Sequence, residues 1–239
     1  MKLTKNKILI TGGASGIGFG LAERFIRENN TVIICGRRES ALKEAAEKLP
    51  SVITKVCDLA VEADRIELYN WIAEHHGDLN VLVNNAGIQN WMNIKDSDFY
   101  QKADAEITTN ILAPLHLTKL FSQLNSLDTI INVTSGLAFV PLSAVPVYCG
   151  TKAFMRSFTL SLRHSLKSDI EVIEMIPPAL NTDLGGKGIH NAHPSVSDFV
   201  ESVFAQMKEG KTELTFGTSA DRAKANNETI AAYFNRMNP

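Results

Sequence analysis

The sequence predicts an α/β fold: a doubly wound, mostly parallel sheet of seven strands with helices on both faces. Two observations point there. Short, almost wholly apolar runs alternate with longer amphipathic stretches, as expected of strands covered on both faces and joined by crossover helices. The first apolar run, Lys7–Thr11, leads directly into a glycine-rich turn and then a helical period. Internal repeats, low-complexity tracts and linkers are missing from the pattern, so residues 1–239 read as one domain.

In chain order, Lys7–Thr11 is a buried strand and residues 16–28 a helix. Thr31–Cys35 is the second strand, and Glu39–Lys48 a helix stopped by Pro50. Val52–Cys57 is the third strand, Glu62–His76 a helix, and Asn80–Asn84 the fourth strand. Ser97–Leu124 is a long helical region with a bend expected at Pro114. Thr129–Thr134 is the fifth strand, Val145–Lys167 a second long helix, and Ile170–Ile176 the sixth strand. Residues 181–196 mix glycine, histidine and asparagine without a period and read as a loop that shapes a substrate site. A helix over Ser197–Lys208, a strand at Glu213–Phe216 and a helix over Asp221–Arg236 complete the pattern.

Apolar residues make up 44% and charged residues 21% of the 239, and the net charge is −2. That balance gives no support to a nucleic-acid or bilayer-surface role. Three scattered cysteines, Cys35, Cys57 and Cys149, suit reduced residues of a reducing compartment rather than a disulfide framework. The chain runs from Met1 through Asn6 straight into the first strand, without a signal peptide, so a cytoplasmic protein is expected.

The turn after the first strand reads Gly12-Gly13-Ala14-Ser15-Gly16-Ile17-Gly18. Glycines at a strand-to-helix turn let a pyrophosphate approach backbone N–H groups and the positive end of the helix dipole. The spacing is Gly-x-x-x-Gly-x-Gly, which departs from the stricter dinucleotide fingerprint, and glycines at such a turn can also be purely structural. The second strand ends without an acid; Arg37 and Arg38 follow it. An acid there would bond the ribose 2′-hydroxyl of NAD, whereas a guanidinium suits the 2′-phosphate of NADP. NADP is therefore expected ahead of NAD, although two solvated arginines at a helix start would look the same.

Tyr148 and Lys152 stand four apart on one helix face. A phenol has a pKa near ~10, and a nearby ammonium is expected to lower it toward a usable acid and base. Taken alone such a pair is common. Ser135, at the carboxyl end of the fifth strand and 13 residues before Tyr148, adds a hydroxyl that can hold the same substrate oxygen. Neighbouring Thr134 is the competing hydroxyl, and Ser135 can also be read as a turn residue.

Together, TGGASGIG at 11–18, Asp58-Leu59, NNAG at 84–87, Asn110, Ser135 and YCGTK at 148–152 resemble the short-chain dehydrogenase/reductase family. The pieces VIICGRRE and PPALNTDLGG are similar to the oxidoreductases encoded with the D-alanine teichoic-acid operon of Gram-positive bacteria. The resemblance implies hydride exchange between NADP or NAD and a ketone, aldehyde or secondary alcohol. It implies Tyr148 as proton donor or acceptor, Ser135 as oxygen holder, and Lys152 as ligand of the nicotinamide ribose. Asn110 would hold a water that links Lys152 to a proton relay; an interhelix hydrogen bond is the plainer reading. Asn85, Ala86 and Gly87 would lie near the cofactor. Asp58, beside Leu59, would accept from the adenine amino group, or else act as a helix cap. Pro177 and Thr182 would face the nicotinamide, with Pro178 replacing the family's usual glycine. The family often pairs through two long helices, so a homodimer or homotetramer built on Ser97–Leu124 and Val145–Lys167 is expected.

His190 and His193 suggest a metal pair, but they lie in a loop with no other evident ligands. Cys149 reads as a small helix residue rather than a nucleophile. Trp91 and Phe139 follow strands and suit a pocket wall or ordinary packing. Pro114 carries no functional reading. Two rival functions remain at this stage: a catalytically idle nucleotide sensor, and a sugar-nucleotide epimerase or dehydratase, which the short segment after residue 180 disfavours.

Overall fold

The computed structural model describes residues 1–238. Seven strands form one sheet in the order β3-β2-β1-β4-β5-β6-β7, and every neighbouring pair is parallel. The strands are β1 (Lys7–Thr11), β2 (Thr31–Gly36), β3 (Ile53–Val56), β4 (Val81–Asn84), β5 (Thr129–Val133), β6 (Glu171–Ile176) and β7 (Glu213–Thr215). Ile8, Ile10, Val32 and Ile34 pack on one face against helices α1 (Gly16–Arg27), α2 (Glu39–Lys48) and α7 (Val196–Lys208). Leu9, Ile33, Leu82 and Ile130 pack on the other against α3 (Glu62–His75), α5 (Ala113–Phe121) and the end of α6 (Pro146–Leu166). Alternate residues of each strand thus serve opposite layers, which is why the strands are apolar throughout.

The chain order reverses between β1 and β4. A crevice opens at the carboxyl ends of the strands on either side of such a reversal. The expected Rossmann-type architecture is the one observed.

Two helices differ from expectation. The region expected as one helix bent at Pro114 is α4 (Phe99–Ile107) and α5, joined by a π-turn over Thr108–Leu112. Pro114 has no N–H for the carbonyl four residues back, that of Asn110, so the widened ladder lies just upstream of the proline. The helix expected over Asp221–Arg236 is two: α8 (Thr218–Ala223) and α9 (Asn227–Met237). Asn226 starts the second, its side chain accepting from Thr229 N at 2.9 Å.

The layer beneath the crevice is closed by Phe25 of α1 against Phe204 of α7, their ring centroids 4.7 Å apart and both buried. Phe25→Ala should lower unfolding stability by about 3–5 kcal/mol, read as a fall in the urea midpoint at unchanged slope.

Candidate active site

Backbone conformation and close approach shape the glycine turn. Gly12 and Gly16 adopt φ of +64° and +54°, which side-chain-bearing residues rarely adopt. A Cβ at Gly18 would stand 2.4 Å from the Gly12 carbonyl oxygen and 2.5 Å from Asn85 Nδ2. Ser15 is the N-cap of α1 but makes no side-chain capping bond. The first N–H groups of α1 are therefore open to an anion. Ile17 packs against the core behind the turn.

Asn85 fixes this turn to β4. Its Nδ2 donates to the carbonyls of Thr11 at 2.8 Å and Gly12 at 3.3 Å, while its N–H and that of Ala86 donate to Thr11 Oγ1, each at 3.0 Å. Arg37 and Arg38 are exposed at the end of β2, and no carboxylate pairs with either among the described residues. The side chain of Asp58 accepts from Ala60 N at 3.0 Å in an Asx turn. The cap position of α3 is Val61, so the alternative of Asp58 as helix cap is corrected. The Leu59 side chain is buried in the core, leaving only its backbone for a ligand. Thr182 stands over the turn: a Cβ at Gly16 would come 3.5 Å from its Cγ2. Pro177 accepts from Gly136 N at 2.9 Å, which ties the residue after β6 to the residue after Ser135. These groups suit a dinucleotide: a pyrophosphate cradle, a cationic end and a hydroxyl-bearing loop.

Ser135, Tyr148 and Lys152 are buried together beyond the ends of β5 and β6. Ser135 Oγ accepts from Leu137 N at 3.0 Å and caps a short 3-10 turn over Gly136–Ala138. Its O–H remains free to point at an oxygen, and the hydroxyl lies near enough to the Tyr148 phenol to favour the phenolate. Thr134, the competing hydroxyl, is committed to Glu174 Oε1 at 2.7 Å. Lys152 Nζ donates to Val133 O at 2.9 Å and lies 5.6 Å from the Tyr148 ring centroid. A Cβ at Gly87 would come 3.4 Å from Asn110 Oδ1 and 3.6 Å from Lys152 Nζ, so the loop after β4 passes directly over them.

One sequence expectation needs correction here. The Tyr148 phenol is not acidified in the ligand-free protein: burial pushes its pKa well up, with the Ser135 hydroxyl opposing. Burial also lowers the Lys152 ammonium from 10.5 to about 8. Desolvation outweighs the helix-face pairing for both groups, since each lies inside the protein. The Asn110 side chain makes the interhelix hydrogen bond of the plainer reading. Its Oδ1 accepts from Ile88 N at 2.9 Å, and its Nδ2 donates to Ile88 O at 2.9 Å and Thr151 Oγ1 at 3.1 Å. Its backbone carbonyl lies in the π-turn, where Pro114 offers it no N–H.

Sequence reasoning quoted Thr11 and Asn84 only within motifs, without their partners, and missed Asn132, 2.9 Å from Asn84, and the buried carboxyls Glu106 and Glu174. The available signal was a polar side chain inside an otherwise apolar strand or helix face. Glu106 Oε1 holds Asn90 N at 2.5 Å and Asn90 Nδ2 at 3.1 Å. With Asn110 one turn on, it therefore grips the loop after β4 at residues 88 and 90. Trp91 Nε1 in that loop donates to Gly185 O at 3.1 Å, joining it to the 181–196 segment. His190 and His193 have ring centroids 5.3 Å apart, and no group of three metal-donor side chains occurs among the described residues. Burial raises the Cys149 thiol, as an inert residue requires.

A glycine-lined crevice beside a serine, a tyrosine and a lysine defines a dinucleotide-dependent oxidoreductase. Residues 6–192 fit the sequence profile of the short chain dehydrogenases, and the chain belongs to that family. It is 45% identical over 226 residues to the uncharacterized oxidoreductase DltE of Bacillus subtilis, spanning 90% of this chain and 89% of that one. A short chain dehydrogenase of Burkholderia cenocepacia, solved in complex with NADP, superposes with a TM-score of 0.84 at 24% identity over 98% of this chain and 99% of that one. One from Burkholderia phymatum, solved with NAD, gives 0.87 at 17% identity over 100% and 99%.

Burial of Lys152 predicts a pH signature in the ligand-free protein. The folded pKa lies below the unfolded value, so the unfolded chain binds more protons between the two and stability rises with pH from about 8. The raised Tyr148 phenol works the other way only above its ordinary value of 10. Urea unfolding should show a gain of about 2 kcal/mol between pH 8 and 10, and Lys152→Met should abolish that slope.

Proposed function

We propose that the protein exchanges a hydride between a nicotinamide, NADP(H) in preference to NAD(H), and a carbon bearing oxygen in a ketone, aldehyde or secondary alcohol. The observation that carries this is the convergence of Ser135, Tyr148 and Lys152 on the strand edge that also holds the glycine turn. Gly12, Ser15, Gly16, Ile17 and Gly18 would hold the pyrophosphate, Asp58, Leu59, Asn85, Ala86 and Gly87 the adenosine side and strand edge, and Pro177 and Thr182 the nicotinamide. When bound, the nicotinamide supplies or accepts the hydride.

The protein's own part is protonic. In reduction, Ser135 donates its O–H to the carbonyl oxygen, and Tyr148 delivers a proton as negative charge develops there. A phenol kept protonated by burial is in the form this step needs. Lys152, already near its titration midpoint at mildly alkaline pH, returns the proton through a water on the Asn110 carbonyl. Oxidation runs the same path backward. The three retained polar groups argue against an idle sensor, and the short segment after residue 180 argues against an epimerase or dehydratase.

Arg37 and Arg38, exposed and free of carboxylates among the described residues, support the choice of NADP. Residues 181–196 act as the substrate loop of a single-domain enzyme. Exposed Ile107, Leu112, Phe154 and Leu160 on α4–α6 support pairing of copies through those helices. Three free, buried cysteines suit the cytoplasm, and no helix among the described residues is long and apolar enough to cross a membrane.

Tyr148→Phe should keep NADPH affinity, measured by fluorescence titration, and lose turnover by about 10²-fold or more across a panel of aldehydes, β-keto esters and secondary alcohols. Undiminished turnover would remove Tyr148 from the proton path. Arg37→Ala should weaken NADPH by about 10-fold or more while changing NADH little; equal weakening of both would defeat the phosphate assignment.

A further inference from the structure

Glu174 is a charged residue in the interior of β6, fully buried between the core residues Ile173 and Met175. Its two oxygens are divided. Oε1 accepts from Thr134 Oγ1 at 2.7 Å, and Oε2 accepts from Arg156 Nη1 at 2.7 Å. Thr134 is the residue before Ser135, and its N–H also donates to Met175 O at 2.8 Å. Arg156 follows Tyr148 and Lys152 at successive four-residue steps along α6. Its guanidinium carbon stands 4.3 Å from the ring centroid of Phe139, which closes the 3-10 turn that Ser135 opens. Arg156 Nη1 reaches Glu213 Oε2 as well, at 3.4 Å.

One ion pair thus holds the chain on both sides of Ser135 and anchors it to the helix that carries Tyr148. Stability alone does not account for it, because a well-packed apolar pair fills such positions at no greater cost. We propose that Glu174 and Arg156 are positioning residues that set the reach between the Ser135 and Tyr148 hydroxyls. The inference rests on the reading above, in which those hydroxyls share one substrate oxygen. Displacing one by about 1 Å is enough to slow the chemical step without touching the cofactor.

The test uses the full-length protein with NADPH, in two readouts. Amide hydrogen exchange by mass spectrometry should rise through residues 134–139 in Glu174→Ala and Arg156→Met, by about 10-fold, with the glycine turn unchanged. Reduction of ethyl 3-oxobutanoate should lose about 10–100-fold in kcat with KM and the NADPH Kd nearly unchanged, and Glu174→Gln should recover most of it. In a Ser135→Ala background the Glu174 change should add less than about 2-fold, since coupled residues are not additive. Unaltered exchange at 134–139 in a folded Glu174→Ala or Arg156→Met protein overturns the proposal, and so does a full multiplicative loss in the Ser135→Ala background. If Glu174→Ala does not fold, Arg156→Met carries the same readouts, with Glu174→Gln as the near-wild-type comparison. A wild-type protein that turns over no carbonyl in the panel counts against the oxidoreductase reading, while hydrogen exchange still decides the brace.

Discussion

The site depends on how β1 and β4 are joined where the chain order reverses. Parallel strands leave their last carbonyls and N–H groups pointing into the crevice, and a ligand can use that space only if the strand ends satisfy one another. Thr11 and Asn85 do this. The threonine oxygen accepts from two successive N–H groups, and the asparagine amide donates to two successive carbonyls. Gly18 is then compelled, because the closed turn leaves no room for a Cβ between Gly12 and Asn85. The uncapped start of α1 and the loop over Lys152 continue directly from the two segments so joined.

The proton-handling half of the site shows burial winning over pairing. A tyrosine and a lysine one helical turn apart suggest mutual stabilisation as phenolate and ammonium. Inside the protein each is instead driven toward its neutral form, and Lys152 spends its hydrogen bond on the Val133 carbonyl. Burial therefore keeps the phenol protonated and brings the ammonium closer to losing its proton. A proton donor poised in this way costs little to keep at rest and needs no counterion nearby.

Much of this was legible in the sequence because the signals were local. Apolar runs placed all seven strands, and Gly12 through Gly18, Ser135, Tyr148 and Lys152 stood at positions where strand ends and one helix face bring them together. The rest was not, because its partners are distant in sequence. Register favours Ser135 over Thr134, but the reason Thr134 is out of play is Glu174, forty residues on, which claims its hydroxyl. That Ile88 and Thr151 occupy the side-chain amide of Asn110 is likewise invisible until the chain is folded. The sign of the Tyr148 shift depends on solvent exclusion, which no spacing encodes. The division at Asn226 was a missed local cue, an N-cap asparagine inside a run that otherwise reads as one helix.

The π-turn at Thr108–Leu112 has a consequence for how this region can change. Glu106 and Asn110 point inward before and within it, and Leu117 and Phe121 point inward after it. Each residue of an α-helix turns the chain by about 100°, so the widened turn sets the rotational phase between those two sets. Deleting a single residue from 108–112 would swing one set away from its partners, whereas exchanging side chains there leaves the phase intact. Homologues should therefore vary in letter but hold their length through this stretch, and any shortening of the helix has to be matched by rebuilding the loop it grips.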